Sequence, residues 1–239
     1  MQNIKERNKL DKPWKYKALK EFKENLTNEQ FPCLFGRKSV FLNSFIPVFC
    51  DSNDEQLDNL FSSLIKYTDF VKKTDIKKRI FMPLIIFFDQ ELIGEKWKNQ
   101  TELAWGALNL LHARDPEKWP DTIPIHPDDT NWCYCFNGVQ LFFNMSFKHH
   151  YDLKSRNLGK NLTFIINPRE NFDFVASGKK GTKIRKKIRD RVFLYNNGHV
   201  PKELGFYGDG SKEWEQYQLE EKNFKSPQHC PFKFIKKEI

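Results

Sequence analysis

No stretch of this chain approaches the roughly 20 consecutive apolar residues that a membrane-spanning helix needs. Its longest apolar run, Phe81 to Phe88, is only of strand length. It has no Gly-x-Ser-x-Gly elbow, no Walker-type glycine loop and no Gly-x-Gly-x-x-Gly fingerprint. The signatures of an α/β-hydrolase, a P-loop NTPase and a built-in nicotinamide or flavin site are therefore missing. Internal repeats, low-complexity tracts and flexible linkers are also lacking, which predicts a single domain over 1–239 with loose tails at 1–12 and 224–239. Met1 to Lys23 is charged throughout, without the apolar segment of a signal peptide, and predicts a cytoplasmic protein. The cysteines number five, an odd count; in a reducing compartment they read as free thiols rather than a disulfide framework.

What the chain does have is aromatic mass and positive charge. It carries 23 Phe and 39% hydrophobic residues, enough for a packed core despite 30% charged residues. The net charge of +9 is unevenly spread: Lys179 to Arg191 holds eight basic residues against one acid, Asp190. Such a segment attracts nucleic acid, phosphates or carboxylates, or is simply a solvated helix face.

Periodicity predicts a basic amphipathic helix from Trp14 to Leu26 and an extended run from Ser39 to Cys50. Leu57, Leu60, Phe61, Leu64 and Ile65 predict a helix over Asp54 to Val71, with Ser52, Asn53 and Asp54 as cap candidates. Arg79 to Phe88 reads as a strand buried on both faces, its regular pairing beginning after Pro83. A helix over Glu95 to Ala113 and an irregular proline-spaced loop from Asp115 to Trp132 follow. Asn137-Gly138 between two extended runs signals a hairpin. Leu162 to Asn167 reads as a strand, Thr182 to Tyr195 as the basic helix and Glu213 to Leu219 as a last short strand. This order predicts an α+β fold, a mixed sheet with a β-hairpin and several packed helices.

The most informative local feature is Phe31-Pro32-Cys33-Leu34-Phe35-Gly36. Proline and glycine fix a corner, and one sulfur sits on it among aromatics. A thiolate so placed suits metal ligation, haem ligation or nucleophilic attack; the plain alternative is a small buried apolar residue. Cys133-Tyr134-Cys135 puts two sulfurs on one face of a strand and, with Cys50 or a histidine, offers a weaker zinc reading.

Further segments complete a pattern: Trp119-Pro120, Trp132-Cys133-Tyr134-Cys135-Phe136 with Gly138, Phe142-Phe143-Asn144 and Ser155-Arg156-Asn157-Leu158-Gly159. Then come Asn167-Pro168-Arg169, Ile184-Arg185 with Ile188-Arg189, Gly205-Phe206-Tyr207-Gly208, Glu213-Trp214-Glu215-Gln216-Tyr217 and Cys230-Pro231-Phe232. With the Cys33 corner, in this order, the chain resembles the YqcI/YcgG family along most of its length. The resemblance implies a haem-dependent monooxygenase that N-hydroxylates a guanidine or similar cationic nitrogen of a small molecule. It implies haem b, with its iron, as cofactor and an external electron donor or peroxide, hence a redox partner. Family members tend to read Thr-Pro-Ala-His with extra arginines before Ser-Arg; here the run is Phe147-Lys148-His149-His150, then Leu153-Lys154-Ser155-Arg156.

Under that reading Cys33 is the preferred axial ligand to the iron, and His150 its rival. Phe31, Phe35 and Phe41 would pack on the macrocycle. Arg156, Arg169, Arg185 and Arg189 are the candidates for its propionates, since guanidinium forks match carboxylates. For a substrate cation the candidates are Glu213, ranked first, then Asp209, Asp128, Asp129 and Glu215, with Trp214 and Tyr217 stacking on it. A haem-binding or sensing protein without turnover is the second reading, with Cys230-Pro231 as a secondary haem contact. A basic nucleic-acid-binding module ranks last.

Overall fold

The computed structural model describes residues 10–205, 210–219, 221 and 227–236. Helix α1 (Pro13–Thr27) begins on a proline, which lacks only an N–H that would be unpaired there anyway, and buries Ala18, Phe22 and Leu26 along one face. Helix α2 (Leu34–Phe41) follows, then strand β1 (Ile46–Cys50), α3 (Asp58–Lys73), the short α4 (Ile76–Arg79) and β2 (Leu84–Phe88). Helix α5 (Gln100–Arg114) precedes the hairpin β3 (Tyr134–Phe136) and β4 (Val139–Ser146). Strand β5 (Thr163–Pro168) leads into α6 (Arg169–Ala176) and α7 (Gly178–Tyr195).

The five strands form one mixed sheet in the order β1-β2-β5-β4-β3. Only β1 and β2 run parallel; the other pairs are antiparallel. This is the α+β arrangement expected from the order of elements. The hairpin turns where Asn137-Gly138 lies, both residues taking the positive φ (50° and 69°) that a two-residue I′ turn demands.

Strand β2 shows why its sequence does not alternate. Leu84, Ile86 and Phe88 face the larger core with Leu60, Leu64 and Leu108 from α3 and α5, while Ile85 and Phe87 face a second core with Ala18, Phe22 and Leu26 of α1. Helices thus cover both faces of this part of the sheet.

Several elements depart from the sequence reading. Ser39 to Phe41 are helical, because Cys33 Sγ accepts the Gly36 N–H (3.2 Å) and Ser39 Oγ donates to the Gly36 carbonyl (2.7 Å), stabilising a helix in an apolar stretch. Asn43, at φ 48°, then turns the chain before β1. Helix α3 starts later than its periodicity suggested, and of the three cap candidates it is Asp54 that receives the N–H groups of Asp58 (2.7 Å) and Asn59 (2.9 Å). Arg79 ends α4 rather than opening a strand; its guanidinium joins Thr74 O, Asn171 Oδ1 and Glu170, tying α4 to α6. Glu213 to Leu219 forms a 3₁₀ turn at Trp214–Gln216 rather than a strand, since i, i+3 spacing drives both Trp214 and Tyr217 into the core. Of the segments expected to be loose tails, 1–9, 224–226 and 237–239 lie outside the described residues, and part of 227–236 packs on the core. Phe232 is buried among Trp119, Trp132 and Tyr134, and Asn109 bonds the backbone of Pro231 (3.1 Å) and Lys233 (2.8 Å). No helix among the described residues is long and apolar enough to cross a membrane.

Candidate functional site

A cavity of about 330 Å³ lies between the Cys33 corner, the α1-side face of β4 and β5, and helices α6 and α7. Its walls are mostly apolar: Phe31, Phe35, Phe81, Phe142 and Ile165 line it, and α7 adds Ile184, Ile188 and Val192. The narrow apolar seam of the basic helix is thus one wall of the cavity.

Cys33 enters at the N-cap of α2. Gly36 packs closely there: a Cβ would lie 3.3 Å from Cys33 Sγ and 3.3 Å from Leu26 Cδ2, so a larger residue would push on both side chains. Cys33 is exposed, yet protein surrounds it, because its accessible surface faces the cavity. Burial pushes the thiol pKa up; the amides of Gly36 and Phe35 and the positive charge of Arg156 pull the other way. Burial in turn brings Arg156 down to about 10, against the opposing pull of Cys33.

Sequence-predicted residues from distant parts of the chain converge here. Phe31, Cys33, Phe35, Arg156, Arg169, Arg185, Arg189 and Glu213 all line the cavity. Arg156 is held by the 3₁₀ turn Lys154–Arg156, Arg169 follows directly on Pro168 at the end of β5, and Arg185 and Arg189 are one turn apart on α7. Glu213 is ion-paired with Arg169 and accepts the Tyr217 hydroxyl proton at 2.7 Å.

Other predicted residues lie elsewhere. His150 is fully buried outside the lining, with Nδ1 3.0 Å from the Arg156 carbonyl and Nε2 3.0 Å from the Leu219 carbonyl. Both ring nitrogens face backbone carbonyls, so the neutral ring donates to one of them and only the protonated ring to both, and neither nitrogen is directed into the cavity. Phe41, 89% exposed, is turned outward at the far end of α2. Trp214 and Tyr217 are core residues outside the lining. Asp128 pairs with Lys212 (2.8 Å) and the Trp214 indole (3.3 Å), and Asp129 caps the amide of Asn131 (2.8 Å). Glu215 is half-buried and does not line the cavity, and Asp209 falls outside the described residues. Cys230 is partly buried beside the main core, where burial raises its thiol to about 12. Cys133 and Cys135 pack with Ile123 and Trp119, away from Cys50, and among the described residues no group of three His, Cys, Asp or Glu is placed to hold a metal ion.

Among the lining residues to which the sequence reading gave no role in the site are three asparagines, Asn144, Asn167 and Asn171. The alternation of β4 holds the missed signal, since Phe142 and Asn144 share the face opposite Leu141, Phe143 and Met145. Across the ladder Phe142 opposes Asn167 and Asn144 opposes Ile165. Asn144 Oδ1, Asn171 Nδ2 and Arg156 Nη1 are buried with no hydrogen-bond partner among the described residues. Unpaired buried polar atoms cost stability, so these three, all on residues that line the cavity, call for a polar partner, water or ligand.

Residues 22–233 match the sequence profile of the YqcI/YcgG family. The chain belongs to that family. Three relatives align with 92–93% of it. A Streptomyces lavendulae protein named "Putative N(omega)-hydroxy-L-arginine synthase DcsA" is 34% identical over 224 residues, 84% of its own length. Two Bacillus subtilis (strain 168) proteins, YqcI and YcgG, are 31% and 28% identical, each aligned over 89% of its length. No solved structure matches the chain.

A pH effect follows from the histidine pair of this YqcI/YcgG-family protein. Burial, with His150 adding to it, lowers the half-buried His149 from its ordinary 6.5 to about 4, and burial lowers His150 too. Between those values the unfolded chain binds protons that the native state does not, so stability falls as pH drops from 6.5 towards 4. Urea midpoints at pH 7 and pH 4.5 should show this loss in the wild type, and a smaller loss in His149→Gln.

Proposed function

We propose that this protein is a haem-dependent monooxygenase that N-hydroxylates a guanidine group, with arginine or a close analogue as substrate. The observation that carries the reading is the convergence of Cys33 and four arginines on one apolar-walled cavity. The name of the Streptomyces relative supports the substrate class.

The residues present fit haem. A sulfur at a helix N-cap is a suitable donor to iron, and Phe31, Phe35 and Phe142 offer walls for a flat apolar ring. Arg156, with its unpaired Nη1, suits a propionate best, whereas Arg169 is ion-paired with Glu213 and Arg185 and Arg189 already donate to the carbonyls of Ala176 and Leu204. Bound there, the group would supply oxygen activation. Cys33 would hold the iron as thiolate, the aromatic walls would exclude water, and His150 would keep the Arg156 backbone in register with Leu219. Because the chain lacks a flavin or nicotinamide fingerprint, electrons or peroxide come from outside.

Protein purified with haem supply should be red, with a Soret band and the red-shifted ferrous-carbonyl band of thiolate ligation. Arginine, O₂ and a reductant should then yield a product one oxygen atom heavier. A colourless protein sinks the reading; a red one that transforms no guanidine is a haem-binding or sensing protein.

A further inference from the structure

The inner face of α7 lines the cavity, but its outer face has no role in the proposed chemistry. Lys179, Lys183, Lys186 and Lys187 are exposed and recur at helical spacing as one stripe. None has an ion-pair partner among the described residues. Beyond the exposed Asp190, the one acid on this face, Phe193 (50% exposed) and Leu194 (74%) extend the stripe with apolar surface towards the C-terminus of the same helix. Basic side chains bordering exposed aromatic and aliphatic ones fit a protein partner better than a nucleic-acid backbone, which needs charge alone.

The helix is also close to the proposed ligand. Arg191 donates to the Phe31 carbonyl (2.8 Å) and to Glu29, and the Tyr195 ring meets Phe31 at 5.6 Å, so α7 packs on the segment that carries Cys33.

We propose that the outer face of α7 is the docking surface for an acidic electron-donor protein. This rests on the monooxygenase reading above. Each docking event passes one electron inward from the donor's reduced centre. Two events and two protons balance the reaction, in which one atom of O₂ enters the substrate and the other leaves as water. Complementary charge speeds such encounters and makes them sensitive to salt.

The test uses a strongly acidic [2Fe–2S] ferredoxin and the full chain, as wild type and as Lys183→Glu/Lys186→Glu/Lys187→Glu. In the haem-loaded wild type, ferredoxin should reduce the haem at a rate that falls with added salt. The triple variant should be at least tenfold slower at low salt, with its Soret band and its reduction by dithionite unchanged. Equal rates in the two proteins overturn the docking proposal. Should neither protein take up haem, the monooxygenase reading fails separately, and calorimetric titration with oxidised ferredoxin still decides the surface. Binding by the wild type that is lost in the variant supports docking, and no binding by the wild type overturns it. Tighter binding of a DNA duplex than of ferredoxin, lost in the same variant, also overturns it in favour of nucleic acid.

Discussion

Under the proposed haem reading, Cys33→Ala is expected to lose the thiolate signature of the haem complex and to weaken haem retention at least tenfold. Cys133→Ala and Cys135→Ala should keep both. The contrast follows from position: Cys33 faces the cavity, whereas Cys133 and Cys135 are buried at the edge of the sheet with Ile123. It is not a folding effect. Cys33 contributes one cap bond to α2, worth about 1 kcal/mol or less, so Cys33→Ala should melt close to the wild type. His150→Ala should behave in the opposite way. Its imidazole fills a fully buried site between two backbone carbonyls and donates its N–H to one of them, so its removal leaves that acceptor unpaired and lowers stability by about 1–3 kcal/mol. A Cys33→Ala protein with an unchanged haem spectrum, beside a His150→Ala protein that has lost it, would move the iron to histidine.

The parts of the fold legible in the sequence are those set by local chemistry. Asn137-Gly138 specifies its turn because both residues tolerate positive φ, and the unbroken apolar run of β2 reports burial on both faces. What stayed hidden depends on contacts across the chain or on competing short-range bonds. The Cys33 sulfur and the Ser39 hydroxyl stabilise α2 against an apolar pattern that reads as extended. Trp214 and Tyr217 reach the core from a tight turn, which no alternation could announce. In the site, the arginines were legible through the segments that carry the family resemblance, where a guanidinium suits a carboxylate. Asn144 and Asn167 lie in such segments too but were given no role, because a half-buried asparagine in a strand looks ordinary until the ladder sets it beside a cavity. His150 was misleading for a physical reason. Its residue type suits a ligand, but both nitrogens face backbone carbonyls rather than the cavity, which only the folded chain reveals.

Glu213 combines these lessons, and Glu213→Gln is expected to be severely destabilising. The carboxylate is 3% exposed, ion-paired with a 4% exposed Arg169 and hydrogen-bonded to the Tyr217 hydroxyl, itself in the core. A neutral amide leaves the Arg169 guanidinium buried without its counter-charge, which typically costs about 3–5 kcal/mol. For a chain of this size that is a fall of roughly 10 °C in Tm. Replacing both partners should cost less than removing one, because no orphaned charge remains; Arg169→Met/Glu213→Leu should therefore melt above Glu213→Gln. The pairing also changes what Glu213 can offer a substrate. A guanidinium entering the cavity would have to compete with Arg169 for the same carboxylate, so the strongest effect of the substitution falls on stability rather than on recognition. The measurement is a thermal melt of the two variants beside the wild type, followed by arginine titration at a temperature where Glu213→Gln is still folded. A single variant that melts with the wild type would mean that the Arg169–Glu213 pair does not carry the wall of the cavity.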